Sequence, residues 1–265
     1  MTEQIYLKSP DEIAIMREAG RIVARALHAM KEAVKPGVTT LQLNDIAAQV
    51  LADHGAKPTF LNYPKWDAPN FPAVITASIN EELVHGIPSG SRFLKEGDIV
   101  SLDVGCNYQG FVGDAALTVA VGEIPRAVQR LMDATQAALA AGIEASRVGH
   151  DLRDVALAIQ KSAEEAGYSL AREYTGHGVG REMHEPPEVP NWWPRNERRT
   201  RFKFHNVPLR PGMTYAIEPM LIAGRNDLRE LSDHWTVVTV DGSWCAHYEH
   251  TIAITDGDPI ILTLP

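Results

Sequence analysis

Ile13, Met16, Ile22, Val23, Leu27 and Met30 recur at helical spacing behind Ser9-Pro10-Asp11-Glu12. This pattern predicts a long amphipathic helix from Pro10 to a stop at Pro36-Gly37. Thr39 can cap a second helix that runs through about Asp53 and closes at Gly55. The arrangement recurs as a helix from about Pro125 to Ala145, then Gly149, a cap at Asp151 and a helix ending at Gly167. Gly37 to Gly55 and Gly149 to Gly167 are both eighteen residues apart. Each helix pair precedes a β-rich stretch, which reads as a weak internal duplication into two α/β halves. Short, turn-bounded apolar runs predict strands at 73–78, 99–104, 115–121, 213–219, 235–240 and 251–255. The expected fold class is α+β, with antiparallel strands in the middle and helices packed outside.

Composition narrows the class. At 265 residues the chain can bury a substantial core, and one unit spanning 1–265, made of two such halves, is expected. With 45% hydrophobic and 22% charged residues, global disorder is excluded. A net charge of −9 argues against nucleic-acid binding driven by overall charge. Cys106 and Cys245 suit a reducing compartment rather than a disulfide framework. Met1 to Lys8 shows no basic region followed by an apolar stretch, so no signal peptide is expected. No apolar run approaches the ~18–20 residues that span a bilayer. A cytoplasmic, monomeric protein without a membrane partner is the expectation.

Five metal-friendly side chains then stand out. Asp103 ends the apolar run from Ile99, and Asp114 follows eleven residues later, the two bracketing the turn 107–110 of a predicted hairpin. His177 is framed by glycines in Thr175-Gly-His-Gly-Val-Gly180. Glu218 interrupts an apolar strand before Pro219, and Glu249 lies between Tyr248 and His250. Glu218 and Glu249 flank a second hairpin-like region holding the turn Asp241-Gly242, so ligands from each half are expected on one sheet face. Buried carboxylates need partners. Four carboxylates and one imidazole are too oxygen-rich for a structural zinc site and suit two hard or borderline divalent cations, a hydrolytic arrangement. His85, before Gly86-Ile-Pro88, and His184, before Glu185-Pro-Pro187, are further candidates. His184-Glu185 does not open a zinc-protease helix, because His-Glu-x-x-His fails at Glu188 and two prolines forbid the helix.

These blocks resemble the type I methionine aminopeptidases, whose fold is the pita-bread fold. The likeness runs from Ile13 to Thr255. It rests on Ser78-Ile-Asn80 with His85-Gly-Ile-Pro88, on Asp103 and Asp114, and on Gly176-His-Gly-Val-Gly180. Ile217-Glu-Pro-Met220, Asp233 with Trp235-Thr-Val-Val238, and Tyr248-Glu-His-Thr251 complete it. The resemblance implies that Asp103 binds one metal, that His177 and Glu218 bind another, and that Asp114 and Glu249 bridge both. The metals would be two divalent cations drawn from cobalt, manganese, iron or zinc. It implies hydrolytic removal of the initiator methionine from nascent chains when the second residue is small. Glu218 would shuttle protons, His184 would polarise the carbonyl oxygen, and His85 would sit beside the scissile nitrogen.

By the same resemblance the methionine pocket comprises Tyr63, Phe71, Thr76, His85, Met183 and Trp235, with His184 also touching substrate. Thr76 stands where cysteine is frequent in the family and Met183 where phenylalanine is, and a thioether still suits an adaptable apolar wall. Two stretches are longer than the usual bacterial pattern, 64–70 and 191–205. The second concentrates Arg195, Arg198, Arg199, Arg201 and Lys203, which suggests a rim contacting ribosomal RNA while nascent chains enter. The rivals are a proline-specific aminopeptidase or dipeptidase of the same fold and a non-catalytic binding module. The first usually carries an additional N-terminal domain, for which the stretch before Pro10 leaves no room. The second should have lost ligands, whereas all five are present.

Overall fold

The protein is described here by a computed structural model, covering residues 4–196 and 201–265. Residues 1–3, part of the segment read for a leader, and Arg198 and Arg199 of the basic stretch lie outside the described residues. Among the described residues four helices form where the apolar period places them: α1 (Pro10–Ala33), α2 (Thr40–Asp53), α3 (Arg126–Ala145) and α4 (Leu152–Glu165). Ser9, Thr39 and Asp151 each close a capping box, with Glu12, Gln42 and Asp154 as the reciprocal partners. Only α3 lacks a side-chain cap, since Pro125 holds that position. Gly37, Gly55, Gly149 and Gly167 all adopt positive φ, so the two helix pairs end in the same way.

Each pair covers its own set of strands. α1 and α2 pack over a four-stranded sheet whose strands are Lys57–Pro58, Ile99–Tyr108, Ile75–Ile79 and Phe111–Ala120. α3 and α4 pack over the strands Thr214–Ile217, Met220–Ile222, Cys245–His247 and His250–Ala253. Leu117 touches both cores. Every strand pair among the described residues is antiparallel, as the α+β reading expects. The 99–108 and 111–120 strands run in register from Ile99↔Ala120 to Tyr108↔Phe111. Gln109 and Gly110 between them both have positive φ, the geometry of a tight two-residue hairpin turn. These strands are longer than the apolar runs because polar Asn107 and Tyr108 are paired through the ladder rather than by burial.

The second region differs from a simple hairpin. Stretches 214–222 and 245–253 are partners, with Ile217 opposite His250 and Met220 opposite His247. Between these pairs the ladder breaks at Glu218-Pro219 and Tyr248-Glu249, because Pro219 has no N–H to give. Beyond the break the strands belong to different sheets. The Asp241-Gly242 turn joins Val237–Thr239 to Cys245–His247, which likewise pair with other strands rather than with each other. No helix among the described residues is long and apolar enough to cross a membrane.

Candidate active site and metal centre

The five proposed ligands converge at the seam between the two sheets. Asp103 and Asp114 lie on the paired strands of the first sheet. His177 lies on the short strand Gly176–Gly178 of the second, and Glu218 and Glu249 occupy the ladder break. The expectation of one shared sheet face is therefore corrected: the donors face one another across two sheets. The seam is stitched beside them. Glu249 N–H donates to Ala116 O at 2.9 Å. Asp114 N–H donates to Thr251 Oγ1 at 3.2 Å, and that hydroxyl donates to Asp114 O at 2.7 Å.

The glycines around His177 have a steric cause. A Cβ at Gly178 would sit 2.4 Å from Pro186 O, and one at Gly176 would sit 2.3 Å from Ala216 O. Neighbouring strands thus press on this backbone from both sides. His177 Nδ1 lies 3.0 Å from Gly178 O. A carbonyl can only accept, so Nδ1 carries the proton and the Nε2 lone pair is free. Nε2 lies 3.6 Å from Asp114 Oδ2 and 3.6 Å from Glu218 Oε1. Burial and the neighbouring His184 push this imidazole down to about 3, so at neutral pH it is a donor of electrons rather than a cation.

One ligand atom each from Asp114, His177 and Glu249 lie within 4.8 Å of one another. Burial raises all four carboxyls, and Asp114 adds repulsion to Asp103, Glu218 and Glu249 alike. Asp114 itself is pushed up to about 7 by burial, partly offset by hydrogen bonds with Glu249 and the Ala115 amide. Asp103 Oδ1, Asp114 Oδ1 and Glu249 Oε1 are buried without any hydrogen-bond partner. Among the described residues, no lysine or arginine lines the cavity they face. Unpartnered oxygens, a bare imidazole nitrogen and no protein cation are what a divalent cation site requires, so the donor set fits metal.

That cavity encloses about 140 Å³. Its wall includes all six residues expected for the methionine pocket: Tyr63, Phe71, Thr76, His85, Met183 and Trp235. His184 stands at its edge, its ring centroid 4.1 Å from that of His177. Tyr63 OH is 2.6 Å from His184 Nδ1. His85 has φ 62°, a left-handed conformation stored beside a cavity. Burial, then the neighbouring His184 and Lys65, push it down to about 4 against an opposing pull from Glu230.

Three participants were not anticipated. Phe60 completes the apolar wall. His247 is buried, and its Nε2 lies 3.8 Å from Glu218 Oε2. Asn191 is buried and donates to Glu218 O at 3.1 Å. Phe60 lies two residues before the Asn62-Tyr63 block, the one local signal for it. The other two act from separate loops and strands, which no spacing rule links to Glu218. The basic stretch takes another place. None of its described residues lines the cavity. Arg195 and Arg201 pair with Glu164 and Glu173, and Phe202 and Phe204 pack on Trp192.

Comparison with known proteins agrees with this geometry. A model of metallopeptidase family M24 matches residues 14–256. The methionine aminopeptidase 1 of Bacillus subtilis is 45% identical over 98% of this chain and 99% of its own. The crystal structure of methionine aminopeptidase from Thermotoga maritima has a TM-score of 0.91 and 41% identity, covering 99% of this chain and 100% of that one. The prolidase from Pyrococcus furiosus, at 21% identity and a TM-score of 0.77 over 98% of this chain and 65% of that one, shares the fold alone. The architecture is thus the pita-bread fold.

Proposed function

We infer, from the premise that this chain belongs to metallopeptidase family M24, that it is a methionine aminopeptidase, which removes the N-terminal methionine of new chains when the second residue is small. Near-full-length relatives at 45% identity support this over the proline-specific and non-catalytic readings. The observation that carries the mechanism is the convergence of four carboxylates, two buried and two nearly so, and one neutral imidazole on a small apolar cavity.

Family membership implies divalent metal; two cations are our proposal. Asp103 would hold one, His177 and Glu218 the other, and Asp114 and Glu249 would be shared, in keeping with the central place of Asp114 among the other carboxylates. When bound, such cations polarise a carbonyl and make water acidic enough to act as a nucleophile near neutral pH. Phe60, Phe71, Met183 and Trp235 receive the methionine side chain, and the thioether of Met183 lets the wall adapt. The Tyr63 phenol donates to His184 Nδ1, which leaves His184 Nε2–H to donate to the carbonyl oxygen as charge develops there. Glu218 takes a proton from the attacking water and returns it to the departing amine as the C–N bond breaks. His85, held at the cavity wall, faces the scissile nitrogen. Asn191 and His247 steady Glu218 from behind.

The deciding experiment is release of methionine from Met-Ala-Ser by protein loaded with manganese or cobalt, beside an Xaa-Pro dipeptide. Methionine release that stops on chelation and is abolished by Asp114→Asn supports the reading. Hydrolysis of the Xaa-Pro dipeptide alone would overturn it. One catalytic unit of two pseudo-symmetric halves, acting as a monomer in the cytoplasm, completes the proposal, and the two free, buried cysteines accord with a reducing compartment. We also propose that the basic stretch faces ribosomal RNA. Phosphates would compete there with Glu164 and Glu173. Replacing Arg195, Arg198, Arg199 and Arg201 by Ala should weaken ribosome binding and flatten its salt dependence; unchanged affinity would end that idea.

A further inference from the structure

The mouth of the cavity carries a feature that the hydrolysis does not use. Tyr63 and Phe71 both line the cavity. Phe71 N–H donates to Tyr63 O at 2.9 Å, and Asn62 N–H donates to Phe71 O at 2.8 Å. The stretch 64–70 between them therefore projects from the cavity rim as a finger, with a bridge between Lys65 and Ala68 closing its tip. Its base is braced on the cavity wall. The Trp235 indole N–H donates to Pro69 O at 2.9 Å. Lys65 pairs with Glu230, donates to His234 O at 2.5 Å, and sits 5.2 Å from the Trp235 ring centroid.

At the tip of this finger Trp66 is fully exposed, whereas Trp192, Trp193 and Trp235 are buried and Trp244 is half-buried. A lone exposed apolar side chain is ordinary on a protein surface. This one stands on a braced loop at an opening past which a polypeptide has to run. Trp66 lies three positions beyond Tyr63, with Pro64 and Lys65 between them, a reach of at most roughly 10 Å. An extended substrate covers a similar length, at about 3.3 Å per residue, between its first residue and its fourth. A flat aromatic face at that distance offers apolar area with little side-chain entropy to lose.

We propose that Trp66 binds an apolar side chain at the third or fourth residue of the peptide substrate, so that the enzyme selects chains beyond methionine and the small residue after it. The inference deepens the aminopeptidase reading and rests on it. The test measures kcat/KM for Met-Ala-Ser-Ser-Ser and Met-Ala-Leu-Leu-Ser, with Met-Ala-Ser as reference, in wild type, Trp66→Ala and Trp66→Phe. Wild type should prefer the leucine peptide by about 5- to 10-fold, the scale of one aromatic contact. Trp66→Ala should reduce that ratio to near one, and Trp66→Phe should keep most of it. The exposed site leaves the melting temperature of each variant close to wild type. No leucine preference in wild type, or a preference that survives in Trp66→Ala, overturns the inference while methionine release from Met-Ala-Ser upholds the underlying activity. Failure of wild type to cleave Met-Ala-Ser brings both down.

Discussion

Tyr63 belongs at once to the methionine pocket and to the hydrogen-bond chain that sets His184. Its phenol is itself held protonated by burial and by nearby Glu182, so it can donate. Tyr63→Phe keeps the ring and removes the donor. We expect kcat to fall about 5- to 10-fold with KM little changed, the value of one net hydrogen bond; steady-state kinetics on Met-Ala-Ser checks it. Loss in KM alone would mean that the phenol acts on the pocket instead. Asp103, His177 and Glu218 were legible because each ends or interrupts an apolar run or sits between glycines, where a surface role explains little, whereas the pocket residues Tyr63, Phe71, Thr76, Met183 and Trp235 came from the family resemblance. His247 offered no such signal. In Cys245-Ala-His247 it occupies an alternating strand position indistinguishable from a solvent-facing one, and only the tertiary fold turns it toward Glu218. Asn191 was hidden in the same way within a stretch whose arginines drew attention to charge.

At the scale of elements, helices were the most readable because periodicity, capping boxes and closing glycines agree over many residues. The short strands were the least. Gly176–Gly178 and Met220–Ile222 have three residues each, too few to show a period, and they exist because strands distant in sequence offer them a ladder. The glycine frame of His177 illustrates what sets such an element. Gly178→Ala would place a methyl group against the carbonyls of Pro186 and Glu185, at 2.4 and 2.6 Å, neither of which is a movable side chain. Displacing that backbone should cost about 1–3 kcal/mol, seen as a lower urea midpoint. Because the strand carries His177, metal affinity measured by calorimetry should fall with it. A variant that melts like wild type and binds metal normally would show that the strand yields.

For the whole molecule, the cage links metal to stability. Asp114 is raised from an ordinary 3.8 to about 7 in the folded, metal-free protein. Below about pH 4 folded and unfolded chains are both protonated there, so the group exerts no preference. As pH rises toward 7 the unfolded chain ionises first, and folded stability is progressively lost. The metal-free protein should therefore melt at lower temperature at pH 7 than at pH 5, and Asp114→Asn should flatten that slope. Metal at about 100 times its dissociation constant should restore roughly 2.7 kcal/mol to wild type and less to the variant. Differential scanning calorimetry at several pH values distinguishes this from a fold indifferent to its cage, in which both slopes would coincide.

The seam between the sheets has a last consequence. Asp103 and Asp114 come from one layer, and His177, Glu218 and Glu249 from the other, so neither layer carries all five proposed donors. A loaded cage is a cross-link between distant parts of one chain, closed without a covalent bond and reopened by a chelator. Catalysis and fastening would then be one property: a molecule that lost its metal would lose its rivet.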